Sequence, residues 1–468
     1  MERVKKVIRK ISIVFAVVLM LGTMLLINAT ETKAATTKLH TFFKEQGNML
    51  LYGFKNDKGK VVIKPKYREA GHFSEGLCAV SENTDDWDKM DMGKYWSYIN
   101  TKGETVFRIA EPVYDCGRFM NGVAVISMSG QKYLIDKTGK RLNENNYQDI
   151  KRLRNGCFEG TTDYSTPHSI LNKKGEILIE SCPGNLSWYT KYGFLFQSQD
   201  GELFVYNING KQILSAKEGS YMLVDNAVWY AQSENTGYTI YNWSGNKTGK
   251  VDKKIKLGNP NNAIGNQDPY YYHYSDKLHV ACNGSGKYGY VDCKGKFVIK
   301  PVYNGAAEFF GNTAVVQKGK QYCLINKKGK ITAKFSGLQY ARQLTAQLIV
   351  LYREKDGKQA LINTKGKYVW KYGKAIDYSH TWVNESSINV FIDYHQNGKC
   401  GLISGTTGKV IIPAKYVKVD NHGDLEFDEI EAKQYIKVKS GSTTTYYELD
   451  GTKMGSSKRD LNTYFKMR

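Results

Sequence analysis

Short hydrophobic stretches recur along the whole chain, each followed by a polar turn that contains glycine and then by a second hydrophobic stretch. Residues 52–67 read YGFKNDKGKVVIKPKY, and residues 288–303, YGYVDCKGKFVIKPVY, match them at ten of sixteen positions. Runs of this length, rich in Val, Ile, Phe and Tyr and bounded by Gly and Asn or Asp, are typical of β-strands joined in a hairpin. The pattern therefore predicts the same β-hairpin at two distant places in the chain.

Eleven copies of this hairpin can be recognised, and they extend over most of the chain. The intervals between their turn glycines average about 39 residues, and a period of this size indicates supersecondary units that are stacked in a row or arranged in a ring. The turn glycines are Gly59, Gly103, Gly139, Gly175, Gly210, Gly245, Gly295, Gly329, Gly366, Gly408 and Gly451.

The residue types of the motif have stereochemical roles. Asn or Asp at the start of the turn can hydrogen-bond to its own backbone, and glycine adopts the positive φ that closes the loop. Proline is expected to end the second strand because it has no N–H to donate, and an aromatic residue then leads to a third strand. Each full unit is thus predicted to contain about three strands. The motif residues are Tyr52, Gly53, Gly59, Pro65, Tyr67, Phe73 and Gly76 in one copy and Tyr288, Gly289, Asp292, Gly295, Pro301, Tyr303 and Phe309 in the other.

These two copies resemble the WG repeat family of bacterial proteins. The family pattern combines an aromatic–Gly pair, Gly–Lys, Ile-x-Pro-x-Tyr and Phe-x-x-Gly-x-Ala-x-Val, and here Tyr52 and Tyr288 replace the usual tryptophan. The resemblance is good around Gly59 and Gly295 and partial or weak in the other units. It implies a repeat scaffold, and the family offers no common catalytic residues to transfer.

The predicted fold is all-β, a tandem repeat of about eleven hairpin-containing units arranged like propeller blades. Ring closure protects strand edges, but propellers usually have four to eight blades, so two rings of six and five units are favoured over one. An open β-solenoid is the alternative. The longest interval separates Gly245 from Gly295, which divides the chain into a first repeat block (36–252), an irregular insertion or linker (253–287) and a second repeat block (288–468).

Residues 1–34 have the features of a Sec-type signal peptide. The basic segment MERVKKVIRK precedes the apolar run ISIVFAVVLMLGTMLLINA, and small residues at Thr32 and Ala34 predict cleavage between Ala34 and Ala35. An uncleaved N-terminal membrane anchor is the alternative, because a run of about 18 apolar residues can span a bilayer. Both interpretations place the remainder of the protein outside the cell, secreted or associated with the cell surface.

The charge balance of the chain indicates which class of partner to expect. The chain has 67 Lys and Arg against 45 Asp and Glu, a formal net charge of +22, which falls to +18 when residues 1–34 are removed. An exported basic protein meets anionic cell-wall polymers, near which its field concentrates it, whereas nucleic acid is not expected as a partner. Lysines on turns and exposed strands also serve solubility alone.

The sequence contains no recognisable catalytic or metal-binding motif. The G-x-S-x-G and H-E-x-x-H patterns of hydrolases are missing, and His273 and His279 lack a partner at metal-ligand spacing. Eight cysteines without a C-x-x-C pair are interpreted as small buried side chains. We therefore expect no enzyme activity, metal or cofactor, although a propeller enzyme such as a glycosidase would need only carboxylates that meet in space. One acidic cluster forms only a fragment of a calcium loop, at Asp85, Asp86, Asp88 and Asp91.

Aromatic clusters are the better candidates for ligand binding. Tyr270, Tyr271 and Tyr272 lie in the segment PYYYHYSDK, and Trp188 and Tyr189 lie in LSWYTKYG. Aromatic faces bind sugar rings and quaternary ammonium groups, so a carbohydrate- or choline-recognising wall-binding module is the alternative function. The favoured function is an exported noncatalytic repeat scaffold that binds a protein or glycan near the cell surface and is held there by anionic wall polymers.

Overall fold

The computed structural model describes most of the chain between residues 38 and 457. The described ranges are 38–47, 49–81, 94–153, 155–163, 168–224, 226–233, 236–257, 278–345, 347–383, 390–416, 425–427, 436–440 and 443–457. The predicted signal peptide, the acidic cluster at 85–91 and the tyrosines at 270–272 lie outside these ranges. No helix within them is long and apolar enough to cross a membrane.

All regular secondary structure in these ranges is β, as predicted. Forty-one strands form ten antiparallel sheets, most of which are four-stranded meanders. The seven-stranded sheet contains two such meanders that share the long strand β34 (Tyr368–Val383), so the described chain has eleven units. Each unit contains one of the eleven hairpins found in the sequence.

The first six units contain strands β1 to β22. They are unit 1, β1 (Leu39–Gln46), β2 (Met49–Asn56) and β3 (Val61–Tyr67); unit 2, β4 (Glu69–Ala70), β5 (Leu77–Ser81), β6 (Trp96–Asn100) and β7 (Thr105–Arg108); unit 3, β8 (Asp115–Cys116), β9 (Val123–Met128) and β10 (Gln131–Asp136); unit 4, β11 (Asp149–Arg152), β12 (Phe158–Thr161), β13 (Ser169–Leu171) and β14 (Ile177–Ile179); unit 5, β15 (Asn185–Thr190), β16 (Gly193–Gln197), β17 (Leu203–Asn207) and β18 (Gln212–Ala216); and unit 6, β19 (Ser220–Val224), β20 (Ala227–Ala231), β21 (Tyr238–Tyr241) and β22 (Lys247–Val251).

The other five units contain strands β23 to β41. They are unit 7, β23 (Lys256–Leu257), β24 (His279–Cys282), β25 (Tyr288–Val291) and β26 (Phe297–Tyr303); unit 8, β27 (Gly305–Ala306), β28 (Thr313–Lys318), β29 (Gln321–Asn326) and β30 (Ile331–Phe335); unit 9, β31 (Leu338–Gln343), β32 (Leu348–Arg353), β33 (Gln359–Asn363) and the first part of β34; unit 10, the second part of β34, β35 (Val390–Gln396), β36 (Lys399–Ser404) and β37 (Val410–Tyr416); and unit 11, β38 (Leu425–Phe427), β39 (Ile436–Ser440), β40 (Thr443–Tyr447) and β41 (Lys453–Ser457).

The units form one closed ring rather than two. In the described residues each pair of successive units shares a hydrophobic cluster. Phe43 and Tyr446 belong to an eleventh cluster, which joins the last unit to the first. Val251 of unit 6 and Ala281 of unit 7 share a cluster, so the packing continues across the long interval that had favoured two rings.

Burial on both faces of the second strand explains why the sequence shows hydrophobic runs instead of strict alternation. All five residues of β5 are buried. Leu77 and Ala79 pack towards unit 3, whereas Cys78 and Val80 pack towards unit 1. Side chains alternate between the two faces of a strand, and in this ring both faces meet a neighbouring unit.

The Tyr–Gly pair of the motif lies opposite a β-bulge. Tyr52 pairs with Tyr67 and Phe54 with Ile63. Strand β3, which occupies the position of the fourth strand of other units, therefore contains two extra residues between these pairs. A Cβ atom on Gly53 would lie 2.6 Å from both Ile63 O and the nitrogen of the following proline. Glycine is therefore required because the two backbones approach each other closely at the bulge.

The prediction that proline ends the strand is wrong. Pro65 lies inside β3 and Pro301 inside β26, because each occupies the bulge, where no N–H is needed for the ladder. The expectation of about three strands per unit also falls short, since most units have four. The additional first strand has only two residues in units 2, 3, 7 and 8, which is too short to give a hydrophobic pattern.

The cysteines confirm the interpretation as small buried side chains. All eight are free thiols, seven of them are buried, and Cys293 has intermediate exposure. Burial raises the pKa of the Cys157 thiol to about 11, which disfavours the reactive thiolate.

Candidate binding surface

The hairpin turn between the third and fourth strands has the same hydrogen bonds in nine units. The first turn residue accepts two backbone N–H bonds through its side-chain oxygen, at 2.8–3.2 Å. The turn glycine follows with positive φ. These bonds confirm the role assigned to Asn and Asp. The nine residues are Asn56, Asn100, Asp136, Asn172, Asn207, Asn242, Asp292, Asn326 and Asn363.

Successive turns lie next to each other on one face of the ring. A Cβ atom on Gly329 of unit 8 would lie 3.1 Å from the Ile299 side chain, in the fourth strand of unit 7. The same contact recurs where Gly103 faces Ile63 at 3.3 Å and Gly366 faces Ala333 at 2.7 Å. Each of these turns thus rests on the fourth strand of the preceding unit, and facing sheets stack about 10 Å apart.

Exposed lysines occupy the positions directly before and after the turn glycine. Thirteen such lysines are present, six of them in units 7 to 9 and only two in units 4 to 6. The lysines in units 7 to 9, here called the basic arc, form no ion pair in the described part of the chain. The three turns that carry them belong to successive units, and each turn glycine contacts the fourth strand of the preceding unit. The basic arc consists of Lys294, Lys296, Lys328, Lys330, Lys365 and Lys367.

A second feature lies between units 5 and 6. A cavity of about 340 Å³, here called the tyrosine cleft, is lined by Tyr221, Tyr230 and Tyr241 of unit 6. The end of β18 and the link that follows it also line this cavity. The rings of Tyr221 and Tyr230 have centroids 4.8 Å apart and planes inclined by 37°. Tyr230 donates its hydroxyl hydrogen to the Glu218 carbonyl oxygen at 2.8 Å, which fixes the link against the ring. Tyr241 completes the aromatic lining.

Comparison with known families agrees with the motif. Residues 52–84 and 288–322 match the family model described as WG containing repeat, and these regions contain the two hairpins that resembled each other most closely. The chain contains WG repeats. The sequence-based prediction of this family is therefore confirmed at both places, with tyrosine in the position of the tryptophan. No curated protein sequence matches the chain.

Solved structures resemble this ring only distantly. The crystal structure of a eukaryotic initiation factor is 10% identical, covers 90% of this chain and 96% of its own, and has a TM-score of 0.30. The C-terminal WD40 domain of Sif2 is 11% identical, covers 70% and 98%, and has a TM-score of 0.24. A dihydro-heme d1 dehydrogenase, NirN, is 11% identical, covers 59% and 70%, and has a TM-score of 0.24.

The candidate aromatic residues of the sequence are separated by the structure. Trp188 and Tyr189 are adjacent on β15 and point to opposite faces. Trp188 joins the cluster between units 5 and 6 that also contains Tyr221 and Tyr241, whereas Tyr189 joins the cluster between units 4 and 5. One of the two candidates thus packs beside the tyrosine cleft. The cleft tyrosines themselves were missed, because they are spread over three strands and form no run.

Two titratable groups, His279 and Glu308, lie in interfaces between units. His279 is buried edge-on against Trp229, and burial lowers its pKa to about 4, so it is a neutral core residue. Burial raises the pKa of Glu308 to about 8, although the hydrogen bond from the backbone N–H of Val280 favours the anion and lowers the pKa. Its Oε1 accepts that N–H at 3.0 Å, which links units 7 and 8.

The seam between units 11 and 1 contains a turn that departs from the common pattern. Glu448 stands where nine other units have Asn or Asp, and its carboxylate turns towards unit 1. Its Oε2 lies 2.6 Å from Nδ1 of His40, and its Oε1 accepts the backbone N–H of Thr41 at 2.6 Å. The other His40 nitrogen, Nε2, lies 2.8 Å from an Asp57 oxygen. The carboxylate thus replaces a local turn bond by a bond that closes the ring.

Charge stabilises this seam. Burial alone would lower the pKa of His40, but hydrogen bonds to the carboxylates of Asp57 and Glu448 outweigh it and raise the pKa. Burial would raise the pKa of Glu448, but His72 and His40 lower it. His40, Glu448 and Asp450 have ligand atoms within 4.8 Å of one another and are of types that bind metal ions. Both ring nitrogens of His40 already face carboxylates, so the imidazolium supplies the positive charge there.

Proposed function

We propose that the protein is a noncatalytic WG-repeat scaffold, exported from the cell, that binds an anionic polymer of the cell wall along the basic arc. The proposal rests on one observation above all. Six exposed lysines flank the glycines of three successive turns, and these turns adjoin each other on one face. A linear polyanion that follows this face would meet the ammonium groups in sequence.

The distribution of charge supports a binding surface more than a general aid to solubility. Lysines that served solubility alone would be spread evenly over the eleven turns, whereas the turns of units 6 and 11, NWSGN and ELDGT, contain none. A concentrated row of positive charge attracts a polyanion more strongly than the same charges scattered over the surface. The basic N-terminal segment with its apolar run supports export to the compartment where wall polymers are found.

The test compares two variants with equal loss of charge. In one, the six lysines of the basic arc are changed to glutamine. The other variant is the control, in which six turn lysines outside the basic arc are changed to glutamine: Lys58, Lys60, Lys102, Lys140, Lys174 and Lys211. Binding to purified wall preparations, with and without their anionic polymers, is measured over a range of salt concentrations.

The two variants should behave differently. Loss of the basic arc should weaken binding by about tenfold or more at low salt, and added salt should remove the difference, because screening acts on exposed charges. The control variant should lose much less. Equal losses in both variants would contradict a localised site, and undiminished binding to walls stripped of anionic polymer would contradict the ligand class. Fractionation of cells, with the protein found in the cytoplasm alone, would contradict the export.

A further inference from the structure

The three tyrosines of the tyrosine cleft replace residues that close the interface in other units. Strand pairing identifies equivalent positions: Tyr221 pairs with Tyr230, and Tyr241 ends the third strand beside the turn. In units 2, 3, 8 and 9 the first position is Ala or Cys, the second Val, Ile or Leu, and the third Ile, and all twelve residues are buried. They are Ala70, Val80 and Ile99; Cys116, Ile126 and Ile135; Ala306, Val316 and Ile325; and Ala341, Leu351 and Ile362.

This replacement opens the interface. The triads of those four units are buried, whereas the three tyrosines of unit 6 are only half buried and line a cavity of about 340 Å³. Such a volume is near the lower end of the ~300–1,000 Å³ typical of small-molecule sites. All three equivalent positions of unit 6 carry tyrosine, and these rings form the aromatic wall of the cavity.

The lining favours a small, uncharged ring. Tyr221 and Tyr230 contact each other at a moderate inclination, which gives a platform for a flat ligand face rather than a cage around a cation. Ser215, Lys217, Glu218 and Gln232 surround the platform and are exposed. Their side chains offer hydrogen-bond donors and acceptors, and the two charges balance each other.

We infer that the tyrosine cleft binds a sugar ring, which stacks on Tyr221 and Tyr230 and forms hydrogen bonds to the polar rim. The C–H groups on one face of a pyranose suit an aromatic surface, and its hydroxyls need both donors and acceptors at the edge. The site is separate from the basic arc, which lies in units 7 to 9. A terminal sugar of a wall glycan could thus be bound while the basic arc binds the polyanion.

The decisive variant converts the cleft into the closed interface of unit 2. Tyr221→Ala, Tyr230→Val and Tyr241→Ile introduce the residues that already pack between units 1 and 2, so the ring should remain folded, as circular dichroism and thermal unfolding would verify. A second variant, Glu218→Gln, changes only an exposed rim residue. The probes are free glucose, galactose, N-acetylglucosamine and choline, and the readouts are saturation-transfer NMR and the fluorescence of Trp188 and Trp243 in the adjoining cluster.

We expect at least one sugar to bind saturably and the triple variant to bind it about tenfold more weakly or not at all. Glu218→Gln should weaken it severalfold, and the variant that lacks the basic arc should bind it as the parent protein does. Failure of every sugar to bind, binding of choline alone, or equal binding by the triple variant would each overturn the inference. Because the basic-arc variant is tested separately, loss of polyanion binding and loss of sugar binding can be distinguished.

Discussion

Units 6 and 8 have the same four-stranded meander but differ in two places, the hairpin turn and the interface with the preceding unit. Unit 8 has the turn NKKGK and the buried triad Ala306, Val316 and Ile325, whereas unit 6 has the turn NWSGN and three half-buried tyrosines. Charge is thus concentrated in the turn of one unit and aromatic surface in the interface of the other. The difference shows that both the turn and the interface of a unit can vary while the meander is kept.

The physical reason lies in what the turn and the interface each contribute to the fold. The turn depends on a glycine and on an Asn or Asp whose oxygen caps the loop, so the residues beside the glycine are free to vary. The interface depends on filled volume, so each residue there is constrained by the residues that face it, and in unit 6 all three equivalent positions carry tyrosine.

The largest expected effect concerns the turn glycine, which both regions share. Gly210 in unit 5 and Gly366 in unit 9 have positive φ, and a Cβ on them would overlap the Leu178 carbonyl oxygen and the Ala333 side chain, respectively. Gly59 has similar φ, but a Cβ there meets no atom within 4 Å.

Alanine at Gly59 should therefore cost only the ~1–2 kcal/mol of the left-handed backbone. Alanine at Gly210 should cost at least twice as much in the free energy of unfolding, measured with urea. Alanine at Gly366 should cost an intermediate amount, because its Cβ would lie 2.7 Å from the Ala333 Cβ, a milder overlap than that with the Leu178 carbonyl oxygen at Gly210. Equal costs at all three positions would show that contact between units adds nothing to the turn.

The next effect extends the comparison to unit 11, in which the turn itself departs from the pattern to close the ring. Glu448→Gln removes the carboxylate that faces His40 and should cost about 1–3 kcal/mol of unfolding free energy. Asn363→Ala in unit 9, which removes only the two local turn bonds, is the matched control and should cost less.

The difference between the parent protein and Glu448→Gln should depend on pH. The raised pKa of His40 gives a contribution that is complete below its ordinary value of 6.5 and is lost as pH rises through the raised pKa. The lowered pKa of Glu448 gives a contribution that is complete above 4.5 and is lost as pH falls through the lowered pKa. The destabilisation should be largest between these limits, and a pH-independent difference would contradict a charged seam.

A smaller effect distinguishes the two interfaces. Val316→Tyr in unit 8 places a large ring in a fully buried position and should cost about 1–3 kcal/mol through overpacking. Tyr230→Val in unit 6 should cost less than the 3–5 kcal/mol typical of large-to-small changes of buried aromatic residues, because this ring lines an open cleft. Thermal unfolding of both variants checks the prediction, and a full cost for Tyr230→Val would mean that the cleft is closed in solution.

The smallest effect on stability belongs to the basic arc. Lys328→Gln together with Lys330→Gln should change the unfolding free energy by less than about 0.5 kcal/mol, since exposed charges contribute little. The reciprocal change, Ser244→Lys with Asn246→Lys in unit 6, should be equally mild and should strengthen binding to anionic wall polymers. A large loss of stability in either variant would show that the turn lysines have a structural role.

Local rules allowed much of the repeat to be predicted. The spacing of glycines, the hydrophobic stretches and the Asn or Asp before the turn identified all eleven hairpins, because these features depend on residues only a few positions apart. The bulge at Pro65 and the two-residue first strands were not anticipated. The first depends on the close approach of Gly53 to another strand, and the second on pairing without a hydrophobic pattern.

The binding surfaces could be predicted only in part. The sequence showed lysines beside the turn glycines and aromatic runs near Trp188, yet Tyr221, Tyr230 and Tyr241 come together only through strand pairing. Likewise, Glu448 and His40 are about 400 residues apart in the sequence, and their contact exists only because the ring closes.

The sequence by itself determined the repeating hairpin, its turn chemistry and the all-β character of the chain, since each follows from the conformational preferences of neighbouring residues. The tertiary structure alone decided that eleven units form one ring, that their basic turns adjoin, and that one interface opens into an aromatic cleft. These properties depend on which faces meet between units, and the pattern within a single unit contains no information about its neighbour.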